Sequence, residues 1–154
     1  DFARENPGMM DATCAFQVLE HLPNPRRFLQ ACVDATRVGG AILLGTPNID
    51  SYLRYQYTLL DMPPHHMSQW SAPAYRFLEK ILPIRLRGIL NEPLASYHVA
   101  NYLDSTGLHL RRANDWRRVF YSGFGRTIFE GLLQRGLRRH FVGQSMLAVF
   151  ERIR

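Results

Sequence analysis

The stretch Asp11-Ala-Thr-Cys-Ala-Phe-Gln-Val-Leu-Glu-His-Leu-Pro-Asn-Pro25 decides the fold. Its first eight residues (DATCAFQV) are almost wholly apolar after the aspartate, the pattern of a short strand buried in a parallel sheet. Pro23-Asn24-Pro25 then breaks the run. Asn24 is a good helix N-cap, and the fixed φ of Pro25 suits a first helical turn. Phe28, Leu29, Cys32 and Val33 recur at helical spacing, which predicts a helix over 26–37. Gly39-Gly40 ends it. Ala41-Ile-Leu-Leu-Gly45 is a second buried-strand run, followed by Thr46-Pro47-Asn48. Strand, helix, strand makes a right-handed βαβ unit over 11–46 and implies a parallel sheet. Ligands in such sheets bind beyond the C-terminal ends of the strands, which points to 17–21 and 46–51.

Outward from this unit, residues 2–6 suit a short helix closed by Pro7-Gly8. Residues 47–70 form an irregular segment rich in aromatics (Tyr52, Tyr55, Tyr57, Trp70), with a short helix expected at 54–60. Ser71 caps a helix running to Leu82. The alternation of Ile84 to Leu90 (IRLRGIL) predicts a half-exposed strand. A helix is expected over 95–106, stopped by Gly107. Residues 115–139 are amphipathic and divide into two helices at Gly123 and Gly125. Ser145 to Ile153 (SMLAVFERI) is a last strand.

The 154 residues suffice for a core, and no run is long enough to cross a membrane, so no membrane partner is expected. The formal net charge is +6, almost all from arginine; Lys80 is the only lysine. No nucleic-acid module pattern accompanies that charge, so it predicts a solvated basic face rather than a nucleic-acid partner. The stripe Phe129, Leu132, Leu133 with Arg135, Arg138 and Arg139 suits a membrane-surface helix or core packing with an arginine-rich outer face, and packing is the expectation. Cys14 and Cys32 lack metal spacing, which predicts reduced, buried thiols in a cytoplasmic protein. His21, His65, His66 and His98 have no carboxylate or thiol at ligand spacing, so no metal is expected. No nucleophile elbow is present to suggest a hydrolase.

The run from Asp11 to Leu22 resembles the fourth strand and following turn of class I S-adenosylmethionine-dependent methyltransferases. That family commonly shows a strand opening on Asp, then Val-Leu-Glu-His-Leu, a Pro-containing turn, a helix, Gly-Gly, a fifth strand and Pro-Asn. Here these are residues 11–22, Pro23-Asn24-Pro25, residues 26–37, Gly39-Gly40, AILLG and Pro47-Asn48. A subgroup carries Pro-Pro-His-His and then an aromatic-Ser, here Pro63-Pro64-His65-His66 and Trp70-Ser71. The match is continuous over 11–82. It implies an α/β fold: the C-terminal half of a Rossmann-like methyltransferase sheet, strands 4 to 7, with an α-helical insertion before the last strand. The expected organisation is one partial domain over 1–154: the βαβ unit at 11–46, an acceptor-side loop at 47–70, helix and strand at 71–94, the insertion at 95–143 and the last strand at 144–153. The family's glycine-rich loop and the acidic residue that binds the cofactor ribose are not in this sequence. The chain is therefore expected to begin after the third strand, and to bind S-adenosylmethionine weakly or not at all by itself.

The resemblance places Phe16, Gln17 and Val18 beside the cofactor and makes Glu20 and His21 loop-structural residues. Pro47, Asn48, Tyr52 and Trp70 become the acceptor pocket. His65 and His66 are the candidate catalytic bases, since imidazole titrates near neutrality and the two prolines pre-shape the backbone before them. The implied function is methyl transfer to a small-molecule acceptor, with this chain inactive alone. The alternative is a non-catalytic binding or scaffold module with a basic C-terminal face. The strand at 11–18 leaves an unpaired edge, which predicts dimerisation through it.

Overall fold

A computed structural model describes residues 2–56 and 58–154; Tyr57, one of the aromatics noted above, lies outside the described residues. The order of elements is α1 (Phe2–Glu5), β1 (Met10–Phe16), α2 (Pro25–Ala35), β2 (Thr36–Pro47), α3 (Ala72–Leu78), β3 (Ile84–Pro93), α4 (Val99–Arg112), α5 (Gly123–Gln134) and β4 (Val142–Arg152). Short 3-10 turns occupy Leu19–His21, Tyr52–Tyr55, Leu59–Asp61, Ser96–His98, Trp116–Tyr121 and Leu137–His140. The sheet has the order β1-β2-β4-β3. β1 and β2 pair in parallel from Ala12 opposite Ala41 to Phe16 opposite Gly45, and β2 pairs with β4 antiparallel. The expected βαβ unit and the antiparallel last strand are thus both present, in one α/β sheet.

The chain divides into two units. The first comprises 1–48, 59–90 and 145–154; the second comprises 49–58 and 91–144. In the first unit Asn24 caps α2 by accepting from the Arg27 N–H at 3.2 Å, and Ser71 caps α3 by accepting from the Ala74 N–H at 3.3 Å. One core joins α2, α3 and the sheet: Leu29 and Val33 from α2, Tyr75 and Leu78 from α3, Ile42 and Leu44 from β2, Ala148 and Phe150 from β4. Tyr75 is fully buried. Its hydroxyl donates to the Leu44 carbonyl at 3.2 Å and accepts from Thr46 Oγ1 at 2.9 Å, and burial pushes its phenol well above the ordinary value. Arg152, at the end of β4, donates to the carbonyls of Val33, Asp34 and Thr36 at 2.8, 3.2 and 2.6 Å. Those carbonyls crowd the C-terminus of α2, where a cation is favoured.

The second unit has its own core of Leu94, Val99, Tyr102, Leu103, Leu110, Tyr121 and Leu133 with Tyr52 and Leu53. The Tyr102 and Tyr121 hydroxyls are hydrogen-bonded at 2.8 Å.

Several sequence expectations need correction. The helix expected over 26–37 ends at Ala35, and the strand begins at Thr36 rather than at Ala41. The helix expected at 54–60 is instead two 3-10 turns. Gly107 does not stop a helix; α4 runs through it to Arg112. Cys14, on the edge strand β1, is exposed, and Cys32, on α2, is half-buried. Both are free, and burial, with Cys14 nearby, raises the Cys32 thiol above its usual value. In α5 Leu133 is buried and Phe129 half-buried, but Leu132 faces outward.

Candidate functional site

β1 ends in a sharp change of direction. Gln17 adopts a left-handed conformation (φ 54°), and its N–H donates to the Gly45 carbonyl at 2.9 Å. Phe16 is 55% exposed, and its ring lies over Gly45: a Cβ there would sit 2.8 Å from Phe16 Cδ1. Val18 turns back against the core. The strand tip therefore presents an aromatic face and a turned backbone at the C-terminal end of the sheet.

The next turn, Leu19–His21, is stitched to the segment after the paired prolines. The Glu20 carbonyl accepts from the Met67 N–H at 2.6 Å and the Ser68 N–H at 3.2 Å. Ser68 Oγ donates to the Leu19 carbonyl at 3.3 Å and accepts from Trp70 Nε1 at 3.0 Å. His21 Nδ1 lies 2.7 Å from the His65 carbonyl. A carbonyl only accepts, so Nδ1 is the donor in this contact. The Glu20 main chain and the His21 ring thus both bond to the 65–68 segment.

Their side chains do more than the sequence suggested. Glu20 is 1% exposed, and neither carboxylate oxygen has a hydrogen-bond partner. His66 approaches the same point: its ring meets that of His21 edge-on, with centroids 4.9 Å apart. One ligand-type atom from each of Glu20, His21 and His66 falls within 4.8 Å of the others. On its other side His66 Nδ1 sits 3.3 Å from Asp61 Oδ1, with the two side chains 18% and 28% exposed. A carboxylate on Nδ1 orients the imidazole and leaves Nε2 as the basic nitrogen. These atoms can accept a proton or hold a cation.

His65 is different. It contributes its carbonyl to His21, and its N–H closes onto the Met62 carbonyl at 2.9 Å, while the residue itself is exposed. Of the histidines considered as metal ligands, His21 and His66 come together; His98 belongs to the second unit. The sequence reading missed Asp61 and the burial of Glu20. The signal for Asp61 was its place five residues before His66, on the far side of a proline pair that folds the segment back.

The pocket candidates separate. Asn48 is buried and forms a parallel bridge with Trp70. Trp70 stacks on Tyr75 at 5.3 Å and lines an apolar cavity of about 320 Å³ with Leu29, Ala74, Phe77 and Ile81. Pro47 closes the pairing of β2 with β4. Tyr52 lies in the second unit, edge-on to Tyr102 at 5.8 Å, and burial pushes its phenol up to about 12.

No family profile matches the chain. Among curated proteins it is similar to the ubiquinone biosynthesis O-methyltransferase of Dechloromonas aromatica, 27% identical over 128 residues that cover 71% of this chain and 55% of that protein. It is 43% identical over 53 residues to the same-named protein of Colwellia psychrerythraea, covering 33% of this chain and 22% of that one. Among solved structures, a SAM dependent methyltransferase from Archaeoglobus fulgidus superposes with a TM-score of 0.54 at 17% identity, covering 97% of this chain and 63% of that one. The chain therefore spans about half the length, or less, of the curated relatives it matches. Its resemblance to class I S-adenosylmethionine-dependent methyltransferases holds in both sequence and fold.

Proposed function

We propose that the polypeptide containing this chain transfers a methyl group from S-adenosylmethionine to a small-molecule acceptor, and that these residues supply the acceptor side with His66 as the base. The single observation carrying this reading is the alignment of Asp61, His66 and His21 beside the buried Glu20 carboxylate, at the C-terminal end of the sheet. S-adenosylmethionine supplies an activated methyl group for in-line displacement. Transfer to an acceptor hydroxyl or amine leaves a proton to be removed, and His66 Nε2 is the basic atom for it. Asp61 holds the ring and stabilises the imidazolium that forms. The relatives named above as O-methyltransferases support a hydroxyl acceptor.

The residues present fit one flank of the cofactor. The exposed Phe16 ring and the left-handed Gln17 backbone, with Val18, offer a surface at the strand tip. That is a small share of what a sulfonium nucleoside needs, so these 154 residues alone should bind S-adenosylmethionine weakly. Calorimetry giving micromolar affinity would contradict this. In the polypeptide that carries the donor-side loops, His66→Ala is expected to lower kcat by roughly 10²–10⁴-fold. His65→Ala should leave kcat within a few-fold. Full turnover by the His66 variant overturns the assignment.

The unpartnered Glu20 carboxylate favours a second reading of the same cluster, a divalent cation held by Glu20, His21 and His66. Turnover that survives exhaustive chelation excludes it.

A further inference from the structure

The second unit contains an outward apolar surface that its own core does not use. Phe124, Ile128 and Leu132 are spaced four residues apart on α5, so they form one ridge, and they are 81%, 50% and 47% exposed. Trp116, on the preceding 3-10 turn, is 73% exposed and meets Phe120 edge-on at 6.2 Å. A solvated helix places polar residues where this ridge stands; α5 buries only Leu133 fully. Trp116, Phe120, Ile128 and Leu132 also border an apolar cavity of about 610 Å³, so the ridge is continuous with a concavity rather than a scatter of single side chains.

The net charge around it is positive. Residues 91–144 carry eight arginines against four acidic residues. Two of those acids are engaged, Asp115 by Arg117 and Asp104 by Arg126. Arg111 and Arg112 end α4, and Arg135 and Arg139 follow α5; all four are exposed and make no ion pair among the described residues. An apolar ridge with an indole at its side and unpaired guanidinium groups on the flanking segments matches the boundary of a bilayer with anionic headgroups.

We propose that the second unit docks on the surface of an anionic lipid membrane, with Trp116, Phe124, Ile128 and Leu132 entering the headgroup–acyl boundary and Arg111, Arg112, Arg135 and Arg139 facing the headgroups. The arrangement is interfacial: among the described residues no helix is long and apolar enough to cross a membrane. From the sequence, core packing of the Phe129, Leu132 and Leu133 stripe is favoured over a membrane-surface helix; the outward face of Leu132 reopens the second reading. Membrane docking of this unit is independent of methyl transfer.

The test is co-sedimentation of the 154-residue chain with vesicles of phosphatidylcholine alone or with one-quarter phosphatidylglycerol, together with tryptophan emission. Binding should rise at least ten-fold with the anionic lipid and fall at high salt. Emission should shift to the blue, a signal that arises from Trp116 because Trp70 is already buried. Phe124→Ser with Ile128→Ser should cut binding at least ten-fold, as should Arg135→Gln with Arg139→Gln. Both pairs are exposed, so an unchanged circular dichroism spectrum is expected to accompany the loss. Equal binding by all three proteins, or no binding to anionic vesicles, overturns the proposal. So does lipid-free self-association that the Phe124/Ile128 variant abolishes, because a second copy then covers the ridge.

Discussion

His98 precedes α4 with Nδ1 buried and lacking a hydrogen-bond partner. Burial lowers its pKa from the ordinary 6.5, and the charge of Glu92 opposes that shift without cancelling it. The folded state therefore protonates the ring at a lower pH than the unfolded chain does. The stability that follows is complete above pH 6.5 and is lost as pH falls from there toward the lowered folded value. The melting temperature should drop over that interval, and His98→Gln should flatten the profile; an unchanged slope in the variant would show that other groups carry the pH dependence. Neither this burial nor that of Glu20 was legible in the sequence. Side chains at adjacent positions in a 3-10 turn diverge, and which one meets the core depends on a partner segment more than forty residues away, as with Glu20 and Met67. Gln17, Glu20, His21 and His66 were legible as types at the strand tip and loop; the arrangement that joins three of them was not.

Elements were legible where punctuation and packing agreed. Asn24-Pro25 and Ser71 start helices as their chemistry requires. Glycine misled where its role is close approach. At Gly107 a Cβ would sit 2.9 Å from Tyr121 Cβ, so the residue admits a neighbour within a continuing helix. At Gly125 a Cβ would lie 2.1 Å from the Val119 carbonyl oxygen, which lets α5 start against the preceding turn. Gly131, in the same helix, faces open space. These two sites give opposite expectations in urea unfolding. Gly125→Ala should destabilise by about 1–3 kcal/mol through overpacking. Gly131→Ala should stabilise by up to about 1 kcal/mol, the helix-propensity difference. Equal effects at both sites would mean that the Val119 contact does not constrain α5.

At the level of the whole molecule, the βαβ unit and the last strand followed from hydrophobic runs alone, because buried strands leave the least ambiguous pattern. The division into two units did not, since it joins 49–58 to 91–144 across intervening residues. β1 has one hydrogen-bonded neighbour in the sheet, and Ala12 and Cys14 on it are exposed. Such an edge pairs readily with another chain. Sedimentation velocity should show concentration-dependent dimers, and Ala12→Lys should return the chain to monomer. A monodisperse wild-type monomer at high concentration counts against pairing through β1.

The position of β4 has a consequence for how the molecule is made. It follows β1, β2 and β3 in the sequence, yet it stands between β2 and β3. While the ribosome is still translating residue 140, the sheet lacks its middle, and β2 and β3 each present an open side. Closing that gap joins residues about one hundred positions apart, which slows folding. The Arg152 guanidinium, gripping the end of α2, can act only once the last strand has arrived.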